Sequence, residues 1–218
     1  MFDRFKARAE GVSAEVHRFA TRVDTLAFIV RFLRQEGVAD APQSHAVWAD
    51  CPFLNGIDRK SLLDVPGLRF DCTRELAADS RFGISQADWA LADTGTLVQD
   101  STAIEQRLVS SLSSIHIALC PTDRILADLP TLLTRINPKE SGYIAMITGA
   151  SRTADIERVL TIGVHGPERL IIVFCDELHD SGTSPLPSSP RWGEENTPSP
   201  SGGGLGRGNV DEFGGTDQ

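Results

Sequence analysis

Three short segments carry the side chains in this sequence that could do chemistry. The first is Ala92-Asp93-Thr94-Gly95-Thr96, a carboxylate followed by a hydroxyl–glycine–hydroxyl run. Gly95 tolerates positive φ, so the chain can reverse there and offer backbone N–H groups and two hydroxyls to a ligand. The plainer reading is a hairpin turn in which Asp93 bonds its own backbone. The second segment is Gly149-Ala150-Ser151-Arg152-Thr153-Ala154-Asp155-Ile156-Glu157. It follows an apolar run and reads as the opening of a helix over 153–162, with Thr153 or Ser151 as its N-cap. Free N–H groups there, with the Ser151 hydroxyl and the Arg152 guanidinium, suit a carboxylate or phosphate. Asp155 and Glu157 already complement the helix dipole, which favours a capped helix without ligand. The third segment is Gly163-Val164-His165-Gly166-Pro167, where His165 is a ligand contact, a proton carrier or a loop histidine bonding a carbonyl. His116 differs: it lies inside an apolar run and reads as a satisfied core histidine.

The remaining patterns exclude more than they assign. No Walker loop, GxGxxG, HExxH or GxSxG is present, and the five histidines show no metal-ligand spacing. Cys51, Cys72, Cys120 and Cys175 fall in no CxxC or CxxxC, so an iron–sulfur cluster or zinc site of the chain's own is not expected. The expectation is a protein without metal or cofactor. A net charge of −9 opposes binding to nucleic acid or anionic membrane. No apolar run reaches the ~20 residues of a bilayer span. The start, Met1-Phe2-Asp3-Arg4-Phe5-Lys6, lacks the apolar region of a secretory signal, which points to the cytoplasm and to reduced cysteines.

The elements that must position these residues run through 1–178, which reads as one α/β domain. From His179 the chain turns Ser/Pro-rich and then Gly/Ser-rich, a composition that cannot offset chain entropy, so 179–218 is expected to be a disordered tail. Leu26, Ile29, Val30 and Leu33 keep helical spacing across 24–36, with Gly37 as a stop. Residues 45–49 are strand-like and 74–79 a short helix. The stretch 89–98 reads as extended chain broken at Thr94-Gly95-Thr96. Residues 115–120 and 169–175 read as buried strands, as does 143–148, and 123–136 as an amphipathic helix that Pro130 could kink. Strands that are apolar throughout and alternate with helices imply a mostly parallel sheet covered on both faces. Ligands in such sheets sit at the carboxyl ends of the strands.

Taken in order, five runs resemble the lactate-utilization (LUD) domain family, of the protein C type. They are Gly83-Ile84-Ser85-Gln86-Ala87-Asp88, Ala92-Asp93-Thr94-Gly95-Thr96, Ser114-Ile115-His116-Ile117, Gly149 to Glu157 and Gly163 to Pro167. The resemblance is good over 82–175 and looser before it. It implies a three-layer α/β fold like that of ribose-5-phosphate isomerases and CoA-transferases. It also implies a role beside two iron–sulfur proteins in oxidising L-lactate to pyruvate. The family usually carries Glu at the position of Asp93 and Pro at that of Ala150.

Three functional readings follow. The first is an accessory, cofactor-less component that works with iron–sulfur partners and either binds a hydroxy or keto acid or positions those partners. The second is a stand-alone enzyme of CoA-transferase or sugar-phosphate isomerase type. It would use Asp93 as nucleophile or base, with Thr94, Gly95, Thr96, Ser151, Arg152, Thr153 and His165 around the anion. The third is a scaffold whose motifs serve packing alone.

Overall fold

Six parallel strands form the centre of the molecule, in the order β1 (Ala14–Phe19), β12 (Arg169–Cys175), β7 (Ile115–Pro121), β4 (Ser80–Gln86), β2 (His45–Trp48) and β3 (Leu68–Arg69). The computed structural model describes residues 1–137, 141–154, 160–162 and 166–178. The expected tail, 179–218, lies outside them. Every residue of β7 is buried, and all of β12 but Arg169. That is why both read as unbroken apolar runs: each must satisfy two covered faces.

One face is covered by α2 (Arg22–Gln35). Ile29, Phe32 and Leu33 pack there on Trp48, Phe82, Ile84, Ile117, Ile171 and Val173. Each such side chain taken fully out of water contributes roughly 1.5–3 kcal/mol. Thr21 caps the helix, its Oγ1 accepting from Asp24 N at 3.0 Å, and Gly37 leaves it at φ +86. The short α3 (Arg59–Leu62) adds Leu62 to the same cluster. The opposite face carries α1 (Phe2–Gly11), α4 (Arg74–Asp79) and α5 (Ile104–Leu112). Phe5 and Ala9 of α1 meet Val16, Ile172, Phe174, Ala118 and Cys120, while Val109 of α5 packs with Val47 and Ala49. The architecture is therefore α/β, with helices on both faces of a parallel sheet, as expected.

The second half departs from the expected strand–helix alternation. A separate four-stranded sheet runs β8 (Ile125–Leu126), β5 (Trp89–Leu91), β6 (Thr96–Asp100), β9 (Ile144–Ile147). Residues 123–136 are not one helix. They divide into a 3-10 turn at Thr122–Arg124, strand β8 and the short α6 (Leu129–Leu133). Asp128 caps α6 and Pro130 sits in its first turn, where its missing N–H costs nothing. Residues 144–147 do form a strand, but at the edge of the small sheet and with none of the four buried. The expected helix over 153–162 is overturned at both of its described ends, while 155–159 lie outside the described residues. β10 (Arg152–Ala154) and β11 (Leu160–Ile162) pair as an antiparallel two-stranded sheet. No helix among the described residues is long and apolar enough to cross a membrane.

Candidate functional site

The two glycine turns singled out by sequence lie together against the end of α1. β5 and β6 pair antiparallel, Leu91 opposite Thr96, so residues 92–95 are the tight reversal between them, closed by Gly95 N donating to Leu91 O at 2.9 Å. Gly95 has φ +72, and a Cβ there would stand 2.4 Å from Ala9 N. Gly149 has φ +73, and its Cβ would stand 2.4 Å from Val12 O. Both turns require glycine twice over: for the left-handed backbone, and because backbone of α1 at Gly95, and of the residue that caps it at Gly149, occupies the space of a side chain. The ladder between β6 and β9 runs on into a side-chain contact, with Thr96 Oγ1 2.8 Å from Thr148 Oγ1. Ser151 N donates to Pro167 O at 2.8 Å, which ties the second turn to the residues that enter β12.

Asp93 stands at the rim of this cluster. Its backbone N–H donates to Ala127 O at 3.2 Å. Its Oδ1 is buried and accepts from no donor among the described residues. Buried polar atoms are nearly always paired, so an oxygen with no donor among the described residues sets Asp93 apart within this turn. The two turns lie near Val12 and Pro167, just before β1 and β12, and hence on the amino-end side of these strands. The expectation of a site at the carboxyl ends is not met by this cluster, because the β5–β6 hairpin folds back along α1.

A second polar group fills the interior between β4, β7, β6 and α5. Ser85 Oγ lies 2.7 Å from His116 Nε2. Gln99 Nε2 donates to Ser85 Oγ (2.8 Å), Gln86 O (3.0 Å) and Gln106 Oε1 (3.0 Å), while Gln106 Nε2 donates to Asp50 O at 2.7 Å. Burial pushes the His116 imidazole down to about 4, so it is neutral, and its Nδ1 has no partner among the described residues. The reading of His116 as a core histidine agrees with this contact to Ser85. Burial also pushes the thiols of Cys51 and Cys72 up to about 11 and raises that of Cys120, which leaves them protonated and poorly nucleophilic.

Of the residues expected at the site, Asp93, Thr94, Gly95 and Thr96 share one turn, with Thr94 exposed and Gly95 and Thr96 buried. Ser151 lies near Gly166, where a Cβ would stand 3.4 Å from the Ser151 Cβ. Arg152 and Thr153 begin β10, so the described residues offer no helix N-terminus there to hold an anion. His165 lies outside the described residues. Thr148 was missed, as were Gln99 and Gln106. The available signal was a polar residue interrupting or ending an apolar strand, as in Thr96-Leu97-Val98-Gln99 and Ile147-Thr148. Among the described residues no group of three His, Cys, Asp or Glu is placed to hold a metal ion.

The chain is 34% identical over 114 residues to lactate utilization protein C of Exiguobacterium sp., covering 50% of each. It is 35% identical over 114 residues to lactate utilization protein C of Anoxybacillus flavithermus, covering 50% of this chain and 52% of that one. The chain thus spans about half the length of the curated relatives it matches. A crystal structure of a DUF162 family protein from Deinococcus radiodurans superposes with a TM-score of 0.51 at 18% identity. It covers 80% of this chain and 95% of that one, and shows the same fold. The LUD domain model matches residues 2–175, from the first helix to the end of β12, and the chain belongs to the LUD domain family.

Proposed function

We propose that this chain is an accessory component of lactate utilization, acting in the cytoplasm beside iron–sulfur partner proteins that carry the electrons. Residues 1–178 supply the function and 179–218 are dispensable. The chain holds a small hydroxy or keto acid at the Asp93–Thr96 turn. Family membership and the names of the curated relatives support the pathway. The observation that carries the site is the unpaired Asp93 Oδ1, in the turn that leads into Thr96 and its contact with Thr148. A carboxylate there accepts from the 2-hydroxyl of a hydroxy acid, and of the two threonine hydroxyls one spends its proton on the other, which leaves a single O–H to donate to the acid's carboxylate. Two-electron oxidation needs an acceptor, which this reading assigns to the partners.

The test is growth on L-lactate of a strain deleted for this gene. It is complemented with the full chain, with a chain ending at Glu177, and with Asp93→Ala. Loss of growth on deletion, rescue by both wild-type chains and failure of Asp93→Ala are the expected results. Unimpaired growth of the deletion strain, with no other lactate dehydrogenase present, defeats the reading.

The same unpaired oxygen favours a second reading, a CoA-transferase-like or sugar-phosphate isomerase-like enzyme with Asp93 as nucleophile or base. A melting shift with an acyl-CoA or sugar phosphate, absent with lactate and pyruvate, would select it. Wild-type function in a folded Asp93→Ala, Arg152→Ala double variant would instead select a scaffold.

A further inference from the structure

Strand β9 contradicts its own sequence. Ile144-Ala145-Met146-Ile147 is the composition of a strand covered on both faces, yet none of the four is buried and Met146 is 50% exposed. Tyr143, just before it, is 51% exposed, and Ile104 on the neighbouring α5 is 49% exposed. β9 pairs with β6 on one side and with no described strand on the other. Ser101 N donates to Tyr143 O at 2.8 Å. The alternation of an antiparallel ladder then turns the N–H and C=O of Ile144 and Met146 outward, to the open edge. Natural edge strands are blunted by charge, proline or a bulge. β9 has none of these, and no charged residue occurs from Ser141 to Ser151.

We infer that β9 is a homodimer interface, with its outer edge paired antiparallel to β9 of a second copy. The free edge calls for an extended strand, and an uncharged apolar strand is complementary to itself about a two-fold axis. The charge distribution favours a copy of the same chain. Two molecules each carrying −9 repel over most of their surfaces, but meet without like charges opposed along Ser141–Ser151. Pairing joins the two small sheets into one of eight strands and covers Met146 and Tyr143.

Sedimentation equilibrium of the full chain tests this, with Met146→Lys, Met146→Pro and a control, Leu133→Lys, on α6. Leu133 is 60% exposed and off the edge. Proline at 146 removes an outward donor and leaves the bonds to β6 intact. A dimer is expected for the wild type and the control. Met146→Lys and Met146→Pro are expected to raise the dissociation constant at least tenfold with unchanged circular dichroism. A monomeric wild type at tens of micromolar, or a dimer that both folded edge variants leave intact, overturns the inference. Should either variant misfold, Met146→Cys decides: oxidative cross-linking into a dimer supports the pairing, and its absence overturns it.

Discussion

Thr96 and Thr148 meet hydroxyl to hydroxyl at 2.8 Å, one at the start of β6 and one just past the end of β9. They are far apart in sequence, yet the contact brings the Gly95 and Gly149 turns against the same end of α1. Replacing either threonine by valine leaves the other hydroxyl without this partner. Each single change is expected to cost about 1 kcal/mol, and the double change less than the sum. A double-mutant cycle by urea denaturation checks this; strict additivity would show that the contact contributes nothing.

Gly95→Ala is expected to cost about 3 kcal/mol or more, because a left-handed residue gains a side chain and that side chain meets the α1 backbone at 2.4 Å. Gly56 has φ +76 with nothing within 4 Å of a Cβ, so Gly56→Ala carries the conformational cost alone, about 1 kcal/mol. Equal losses of stability for the two variants would contradict the packing of α1 on the turn.

His116 makes the fold acid-sensitive. Its folded value of about 4 lies below the ordinary 6.5, so between these limits the unfolded chain binds a proton that the folded chain refuses. The stabilisation is complete above pH 6.5 and is lost as pH falls towards 4, about 2 kcal/mol of it by pH 5. Stability measured from pH 7 to pH 5 is expected to fall more steeply for wild type than for His116→Gln. Parallel curves would refute the assignment.

Gln99 joins Ser85, Gln86 and Gln106 in the interior. Gln99→Leu leaves the Gln106 Oε1 and Ser85 Oγ acceptors without that donor and is expected to cost about 2–3 kcal/mol. Unchanged thermal stability would mean that water replaces the amide there.

Asp93→Asn should separate stability from function. The change swaps the carboxylate of this partly buried side chain for an amide of the same shape, so the melting temperature is expected to hold, while complementation on lactate is lost. Retained growth with a raised melting temperature would make Asp93 dispensable.

Local residue types were enough to place several elements. The spacing of Leu26, Ile29, Val30 and Leu33 marks α2, and Gly37 its end. The unbroken apolar runs mark β7 and β12 as strands covered on both faces, and Thr94-Gly95-Thr96 marks a reversal. These signals are local, since periodicity and turn chemistry are properties of neighbours along the chain. Only the tertiary structure decided what depends on distant partners. Residues 144–147 have the same apolar character as β7, and nothing within them distinguishes the centre of one sheet from the edge of another. Ile125, Leu126, Leu129, Leu132, Leu133 and Ile136 keep a helical spacing in 123–136, but Leu126, Leu132 and Ile136 are drawn into one small cluster with Leu91 and Val98, and pairing of β8 with β5 outweighs the helix. The strand pairing of Arg152–Ala154 with Leu160–Ile162 likewise overrides a sequence that reads as a helix start. The sequence supplied the glycines of both turns. That they abut one helix, with Thr96 touching Thr148, follows from β6–β9 pairing, a long-range contact that no local pattern encodes.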